Sequence, residues 1–208
     1  MANTKSGSLQ KEQNFESIKE EIKKCFSDLG SFTEEEIAGA LELVDIKTYK
    51  KGEHILKEGE FSAKSYSVVS GCVRQFYLVD GEEKTTFFYT EGDSIFSPNT
   101  TSEKIPSKYY LTCVEYSTLS ITTLENQEEM FKRFPMLEAL SRNSLQEELV
   151  NYQEMLATYI TTSPEERYLN LLKFRPELLN RVPQYQLASY LGVTPESLSR
   201  IRKRIFLK

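Results

Sequence analysis

Histidine is almost missing from this chain: His54 is the only one among 208 residues. A His-ligated haem, or a metalloenzyme that holds its metal on several imidazoles, is therefore poorly supplied. His54 itself falls in the strand expected after Gly52 and reads as an ordinary strand residue. Cysteine is scarce as well. Cys25, Cys72 and Cys113 are odd in number and far apart, which fits neither a disulfide framework nor a zinc motif and points to reduced thiols. No apolar run approaches the ~20 residues of a membrane span, and the start, MANTKSGSLQKEQ, lacks the apolar core of a signal peptide. A cytoplasmic protein with no membrane partner is the expectation. Catalytic order is missing too. No nucleophile elbow, phosphate loop or metal motif arranges the plentiful serines and carboxylates, so no catalytic residue, metal or cofactor is assigned and the chain does not read as an enzyme.

Hydrophobic residues make up 39% of the chain, enough for real cores in one large or two small domains. The charge is uneven. Against a formal net charge of -5, the segment from Thr161 to Lys208 carries +5 and the remainder -10. A basic tail on an acidic body suits a DNA-reading module whose other faces are kept off DNA.

That tail contains VPQYQLASYLGVTPESLSRIRKRI, from Val182 to Ile205, which reads as a helix-turn-helix. Leu187 and Leu191 share one face of the first helix, Ala188 is small where the helices touch, and Gly192 suits the left-handed position at the helix end. Val193 plugs the turn. Thr194 caps the second helix, Pro195 takes its first position, and Leu198, Ile201 and Ile205 form its buried face. Glu196, Ser199, Arg200 and Lys203 then point outward together, flanked by Arg202 and Arg204 with charge suited to phosphate. With Gln184, Thr194, Pro195 and Ser197 they form the candidate DNA-binding set. Arg200 is read as a guanine contact and Glu196 as a cytosine-amine contact. The competing reading is an ordinary αα-hairpin with a solvated basic face.

Upstream, residues 1 to 14 are polar and expected to be disordered, and Phe15, Ile18, Ile22 and Phe26 recur at helical spacing after them. Thr33 and Glu36 make a capping box for a helix to about Leu43. From Tyr49 to Leu124 the chain breaks into short β-branched and aromatic runs with turns at Gly52, Gly59, Gly71, Asp80-Gly81 and Gly92. This is the pattern of a small antiparallel barrel or jelly roll. A short helix is expected over Glu125 to Phe134, stopped by Pro135, and a long one from Met136 to Ile160. In the long helix Leu145, Leu149, Tyr152, Leu156 and Tyr159 alternate four and three apart, a coiled-coil seam that predicts a homodimer. The competing reading packs that helix on its own barrel. Ser163-Pro164-Glu165-Glu166 opens the next helix. The fold class is therefore α+β, with a jelly-roll domain and its flanking helices at 15–135, a dimerisation helix at 136–160 and a helix-turn-helix domain at 161–208.

The run KKGEHILKEGEFSAKSYSVVSGCVRQFYLVDGEEKTTFFYTEGDSIF, from Lys50 to Phe96, resembles the cyclic-nucleotide-binding domain of the Crp/Fnr regulators in its spacing of Gly52, Gly59, Gly71 and Gly92-Asp93. With the helix-turn-helix in place, the resemblance covers roughly Ile37 to the end. It implies a transcriptional regulator whose partners are double-stranded DNA, a second copy of itself, RNA polymerase and a small-molecule effector of unknown identity. Cyclic-AMP-binding members carry a Gly-Glu-Leu turn, whose Glu accepts the ribose hydroxyl, and an Arg that neutralises the cyclic phosphate. Here Phe96 stands in the Gly place and Ser97 in the Glu place, and the Arg place falls near Lys108, followed by Tyr109 and Tyr110. These five residues and Tyr152 make up the candidate effector pocket, with Phe96 and Tyr110 expected to add bulk inside it. Cyclic AMP is disfavoured; the effector is a different one, or none. The family's oxygen-sensing branch needs four cysteines, and only three are present. Members commonly continue past the recognition helix into wing strands, whereas only Phe206, Leu207 and Lys208 follow here, so fewer phosphate contacts are expected. Two alternatives stand beside the regulator: a cyclic-nucleotide-binding module with vestigial DNA binding, and a small jelly-roll enzyme, which the histidine count opposes.

Overall fold

Strand pairing follows the turn residues. The computed structural model describes residues 32–96 and 105–206; the polar segment 1–14, the helix expected from Phe15 onward, and Ser97 lie outside the described residues. Between Asp45 and Thr123 run β1 (Asp45–Tyr49), β2 (His54–Leu56), β3 (Lys64–Ser70), β4 (Val73–Val79), β5 (Glu82–Tyr89), β6 (Ser94–Ile95), β7 (Tyr110–Cys113) and β8 (Ser117–Thr123). They form two antiparallel sheets, ordered β1-β8-β3-β6 and β2-β7-β4-β5. The expected corners at Gly52, Gly59, Gly71, Asp80-Gly81 and Gly92 fall between successive strands. The β region begins four residues before the expected Tyr49 because β1 pairs along its whole length with β8, Asp45 opposite Ile121 and Tyr49 opposite Ser117.

Alternation sends every second side chain inward. Tyr66 and Val68 of β3, Val73 of β4, Tyr89 of β5, Leu111 and Cys113 of β7 and Leu119 of β8 meet between the sheets. Burying a Val or Leu so completely contributes about 1.5–3 kcal/mol each. Gly71 sits at φ 102° where β3 turns into β4, and a side chain there would collide with Ser117. Only glycine fits both the backbone angle and the space.

Helix α1 (Glu34–Leu41) has the expected capping box: Thr33 N–H donates to Glu36 Oε2 at 2.8 Å, and Thr33 Oγ1 accepts from Glu36 N–H at 3.2 Å. After the barrel come α2 (Leu124–Arg133) and α3 (Pro135–Thr161). The expected break at Pro135 is there, since a proline opens a helix more readily than it continues one. Ala40, Met130 and Leu137 form a small satellite core with Phe134.

The last segment folds as α4 (Pro164–Phe174), α5 (Leu178–Arg181), α6 (Gln184–Tyr190) and α7 (Pro195–Phe206). Its start follows the sequence: Ser163 N–H donates to Glu166 Oε2 at 2.8 Å, and Ser163 Oγ accepts from Glu166 N–H at 3.3 Å. The hydrophobic core does not respect the expected boundary at residue 161. Cys72, Phe88 and Val114 of the barrel belong to the same buried cluster as Tyr168, Leu178 and Leu187 of the helices. β5 is an edge strand, and its exposed backbone groups are met from α6: Ser189 Oγ donates to Glu83 O at 2.7 Å and accepts from Thr85 N–H at 2.9 Å. Covering an edge in this way removes a template for unwanted strand pairing.

Candidate nucleic-acid interface and effector site

The two helices of the helix-turn-helix head meet as the residue pattern predicts. Leu187 and Ala188 of α6, Leu191 at its C-terminal cap, and Leu198 and Ile201 of α7 are buried, with Val193 and Ile205 packed on the same cluster. The chain turns at Gly192 with φ 69°, and an added Cβ there would also collide with Tyr159 Oη of α3. The left-handed backbone is legible from sequence; the close approach of a distant tyrosine is not.

Thr194 Oγ1 accepts from Ser197 N–H at 3.3 Å, and Pro195 opens α7. Glu196 sits in the first turn, where its own backbone N–H, then Thr194 and Arg200, hold its carboxyl below the usual range. Gln184, Thr194, Pro195, Glu196, Ser199, Arg200, Arg202, Lys203 and Arg204 are all exposed, and Ser197 is half-buried. Arg200 donates to Ser197 Oγ at 3.3 Å, which points its guanidinium along the N-terminal half of the helix. Arg204 is engaged differently: its Nη2 pairs with Glu165 Oε2 at 2.9 Å, so a phosphate would compete with that carboxylate.

The seam on α3 is only partly open. Leu145, Leu149 and Leu156 are 45%, 58% and 59% exposed. Tyr152 turns to the barrel and meets Phe87 edge-on at 5.0 Å between centroids. Tyr159 is half-exposed, but its ring lies beneath Arg167 at 4.7 Å and its hydroxyl end against Gly192. Tyr152 and Tyr159 thus rest on their own chain, as the reading that packs this helix on the protomer expects, while Leu145, Leu149 and Leu156 are exposed.

Among the described residues the groups near Tyr152 at the barrel core are tyrosine phenols, the Gln75 amide and the Glu148 carboxylate. Tyr89 Oη donates to Gln75 Oε1 at 3.1 Å, Tyr77 and Tyr109 meet edge-on at 5.9 Å, and Tyr152 Oη donates to Glu148. Burial pushes the phenols of Tyr89 and Tyr152 well up, so both stay neutral. Of the six predicted pocket residues, Tyr109 and Tyr152 lie at this core, Phe96 is half-buried after β6, Lys108 is exposed, and Ser97 is outside the described residues.

Tyr110 requires a correction. Leu111 and Cys113 set the phase of β7, so alternation puts Tyr110 on the outer face, stacked on Phe76 at 4.9 Å and beside His54 at 5.8 Å. It adds no bulk to the interior. His54 is exposed beside Thr112, 2.7 Å from Nδ1 to Oγ1, and behaves as the strand residue expected. Arg74, the only arginine between residues 45 and 123, is also on the outer face. It donates to Thr85 Oγ1 at 2.8 Å, pairs with Glu83 at 2.5 Å and lies 4.4 Å from the Phe76 ring centroid. Gln75, Phe87 and Tyr89 were missed by sequence reasoning; the alternation along β4 and β5 would have found them once its phase was known. Among the described residues no His, Cys, Asp and Glu side chains converge on a metal position, and no helix is long and apolar enough to cross a membrane.

Residues 46–134 match the family model of the cyclic nucleotide-binding domain. No curated protein matches the chain. Among solved structures, the c-di-GMP responsive global regulator CLP of Xanthomonas campestris is 18% identical at a TM-score of 0.65, with 82% of this chain and 92% of that one covered. FixK2 of Bradyrhizobium japonicum is 19% identical at 0.64, covering 79% and 85%. The catabolite activator protein of Thermus thermophilus is 21% identical at 0.53, covering 84% of each. Residues 46–134 thus resemble the cyclic nucleotide-binding domain, and with its α3 connector and C-terminal helix-turn-helix the chain has the fold of the Crp/Fnr regulators.

Proposed function

We propose that the protein is a sequence-specific DNA-binding transcriptional regulator of the Crp/Fnr type, cytoplasmic and homodimeric, that senses an effector other than cyclic AMP or none. The observation that carries this reading is the outward face of α7. Arg200, Arg202 and Lys203 stand exposed on a helix whose opposite face is buried by a complete helix-turn-helix core. In that geometry the recognition helix enters the major groove, where Arg200 reads a guanine and Glu196 a cytosine amine while Arg202 and Lys203 hold phosphates. The bare leucines of α3 supply the seam for a second copy, and a symmetric dimer would place two heads on half-sites about 34 Å apart. RNA polymerase is the partner through which promoter binding would reach transcription.

Against cyclic AMP stands the barrel's one arginine, which faces outward and is already engaged by Glu83 and Thr85. A cyclic phosphate taken from water needs charge-assisted hydrogen bonds to replace its hydration. The inward-facing tyrosines and Gln75 offer none with a positive charge. Selection from random duplexes by gel shift with the full chain tests the proposal: a two-fold symmetric enriched sequence is expected. Failure to shift any duplex, together with tight cyclic-nucleotide binding, would favour a nucleotide-binding module with vestigial DNA binding.

A further inference from the structure

We propose that Glu165 is a positioning residue at the edge of the DNA interface: it keeps Arg204 on the protein, so that α7 offers phosphates Arg202 and Lys203 but not Arg204. This deepens the DNA-binding reading given above and rests on it.

Arg200, Arg202, Lys203 and Arg204 are all exposed on α7, and by composition they are alike. Their surroundings separate them. Arg200 donates to the Ser197 hydroxyl, and among the described residues neither it nor Arg202 nor Lys203 forms an ion pair with a carboxylate. Arg204 does, through Nη2 to Glu165 Oε2 at 2.9 Å.

Both partners stand where their own helices favour them. Glu165 lies in the first turn of α4, where free backbone N–H groups attract a carboxylate, and Arg204 lies in the last turn of α7, where free carbonyls attract a cation. The two acids of that first turn have different tasks. Glu166 bends back and accepts from the Ser163 N–H and hydroxyl, each at 2.8 Å, which leaves Glu165 to reach across to α7. Its side chain is 32% exposed and that of Arg204 62%, so the carboxylate is the more firmly seated of the pair.

A phosphate arriving at Arg204 would gain little. It would replace one anion by another on the same guanidinium, strip Glu165 of its partner and stand beside it as a second negative charge. Arg202 and Lys203 have no such bond to lose. A cation that stays with its own carboxylate neutralises no phosphate and releases no counterion from DNA, so Arg204 is missing from the salt dependence of binding.

That dependence is the test, because it counts neutralised phosphates and a merely structural salt bridge would not move it. The full chain and its Glu165→Gln, Arg204→Ala and doubly substituted variants are titrated by fluorescence anisotropy onto a random-sequence duplex between about 50 and 200 mM salt, where non-specific binding is electrostatic and needs no operator. Glu165→Gln should steepen the slope of log affinity against log salt by about 0.9, so that its advantage over the native protein shrinks about 3.5-fold across that range. In the Arg204→Ala background the same substitution should add nothing. Three results would each overturn the proposal. A native slope that flattens by about 0.9 on Arg204→Ala would put Arg204 on a phosphate despite Glu165. An unchanged slope in Glu165→Gln would leave Arg204 idle even when freed. An equal gain in both backgrounds would mean that Glu165 acts through its own charge. If the random duplex is bound in the expected pattern but no operator can be selected, the sequence-specific reading fails and the role of Glu165 stands; absence of binding to any duplex would sink both.

Discussion

Gly192 shows how one residue answers two demands. A non-glycine residue in its left-handed conformation costs about 1–2 kcal/mol, and the collision with Tyr159 Oη adds to that. Gly192→Ala should therefore lower the urea midpoint. The same change in a Tyr159→Phe background should cost less, because the colliding oxygen is gone; strictly additive losses would mean that α3 does not press on the turn. Arg200 and Lys203 differ in a way that binding can resolve. Arg200→Ala should lose about 1–3 kcal/mol on the selected operator and relax one base position. Lys203→Ala should weaken every duplex alike and flatten the salt dependence. If Arg200→Ala lost equally on specific and random DNA, Arg200 would be a phosphate contact.

At the scale of elements, α3 presents two unlike faces. Its inward side packs through Tyr152 on Phe87, while Leu149 and Leu156 are 58% and 59% exposed. Replacing both leucines by Asp puts charges into the proposed seam without touching the barrel contact. Sedimentation should then report a monomer with unchanged thermal stability of the protomer, and operator binding should collapse; a persistent dimer would place the interface elsewhere. Apart from the seam, this helix was legible in its length and in its Pro135 start, because both are local properties of the chain. Which of the seam residues face the protomer itself was not, because the four-three spacing is the same whether the stripe meets a partner or a barrel.

For the whole molecule, the contact between head and barrel makes stability depend on acid. Arg181 above all, with the Gly71 N–H, holds Glu91 at about 2, against an ordinary 4.5. Because the folded value is depressed, the stabilisation is full above about 4.5 and is lost as pH falls through about 2. Glu91 is partly exposed, so solvent screening tempers the effect. Urea midpoints should fall more steeply between about pH 5 and 2 in the native protein than in Glu91→Gln, and parallel curves would mean that the Arg181–Glu91 pair adds nothing to stability. The barrel makes a second whole-molecule prediction. Losing two charge-assisted anchors, each worth about 1.5–3 kcal/mol, weakens a ligand a hundredfold or more at about 1.4 kcal/mol per tenfold. Calorimetric titration with cyclic AMP and cyclic GMP should show no binding at micromolar concentration. Micromolar binding coupled to DNA affinity would show that the barrel builds a phosphate site without an inward arginine.

The amino-acid sequence by itself determined the parts whose causes are local: the corners of the barrel, the capping boxes at Thr33 and Ser163, the break at Pro135, and the buried and exposed faces of α6 and α7. Each depends on backbone angles or on periodicity within a dozen residues, and both are written in residue order. Tertiary structure alone decided the phase of β7, which turned Tyr110 outward, the outward placement of Arg74, and the union of barrel and head in one core. Arg181 and Ser189 look like ordinary polar residues on short helices. Their partners Glu91, Glu115, Glu83 and Thr85 lie 66 to 106 positions earlier in the chain, and no local pattern encodes a pairing over that distance.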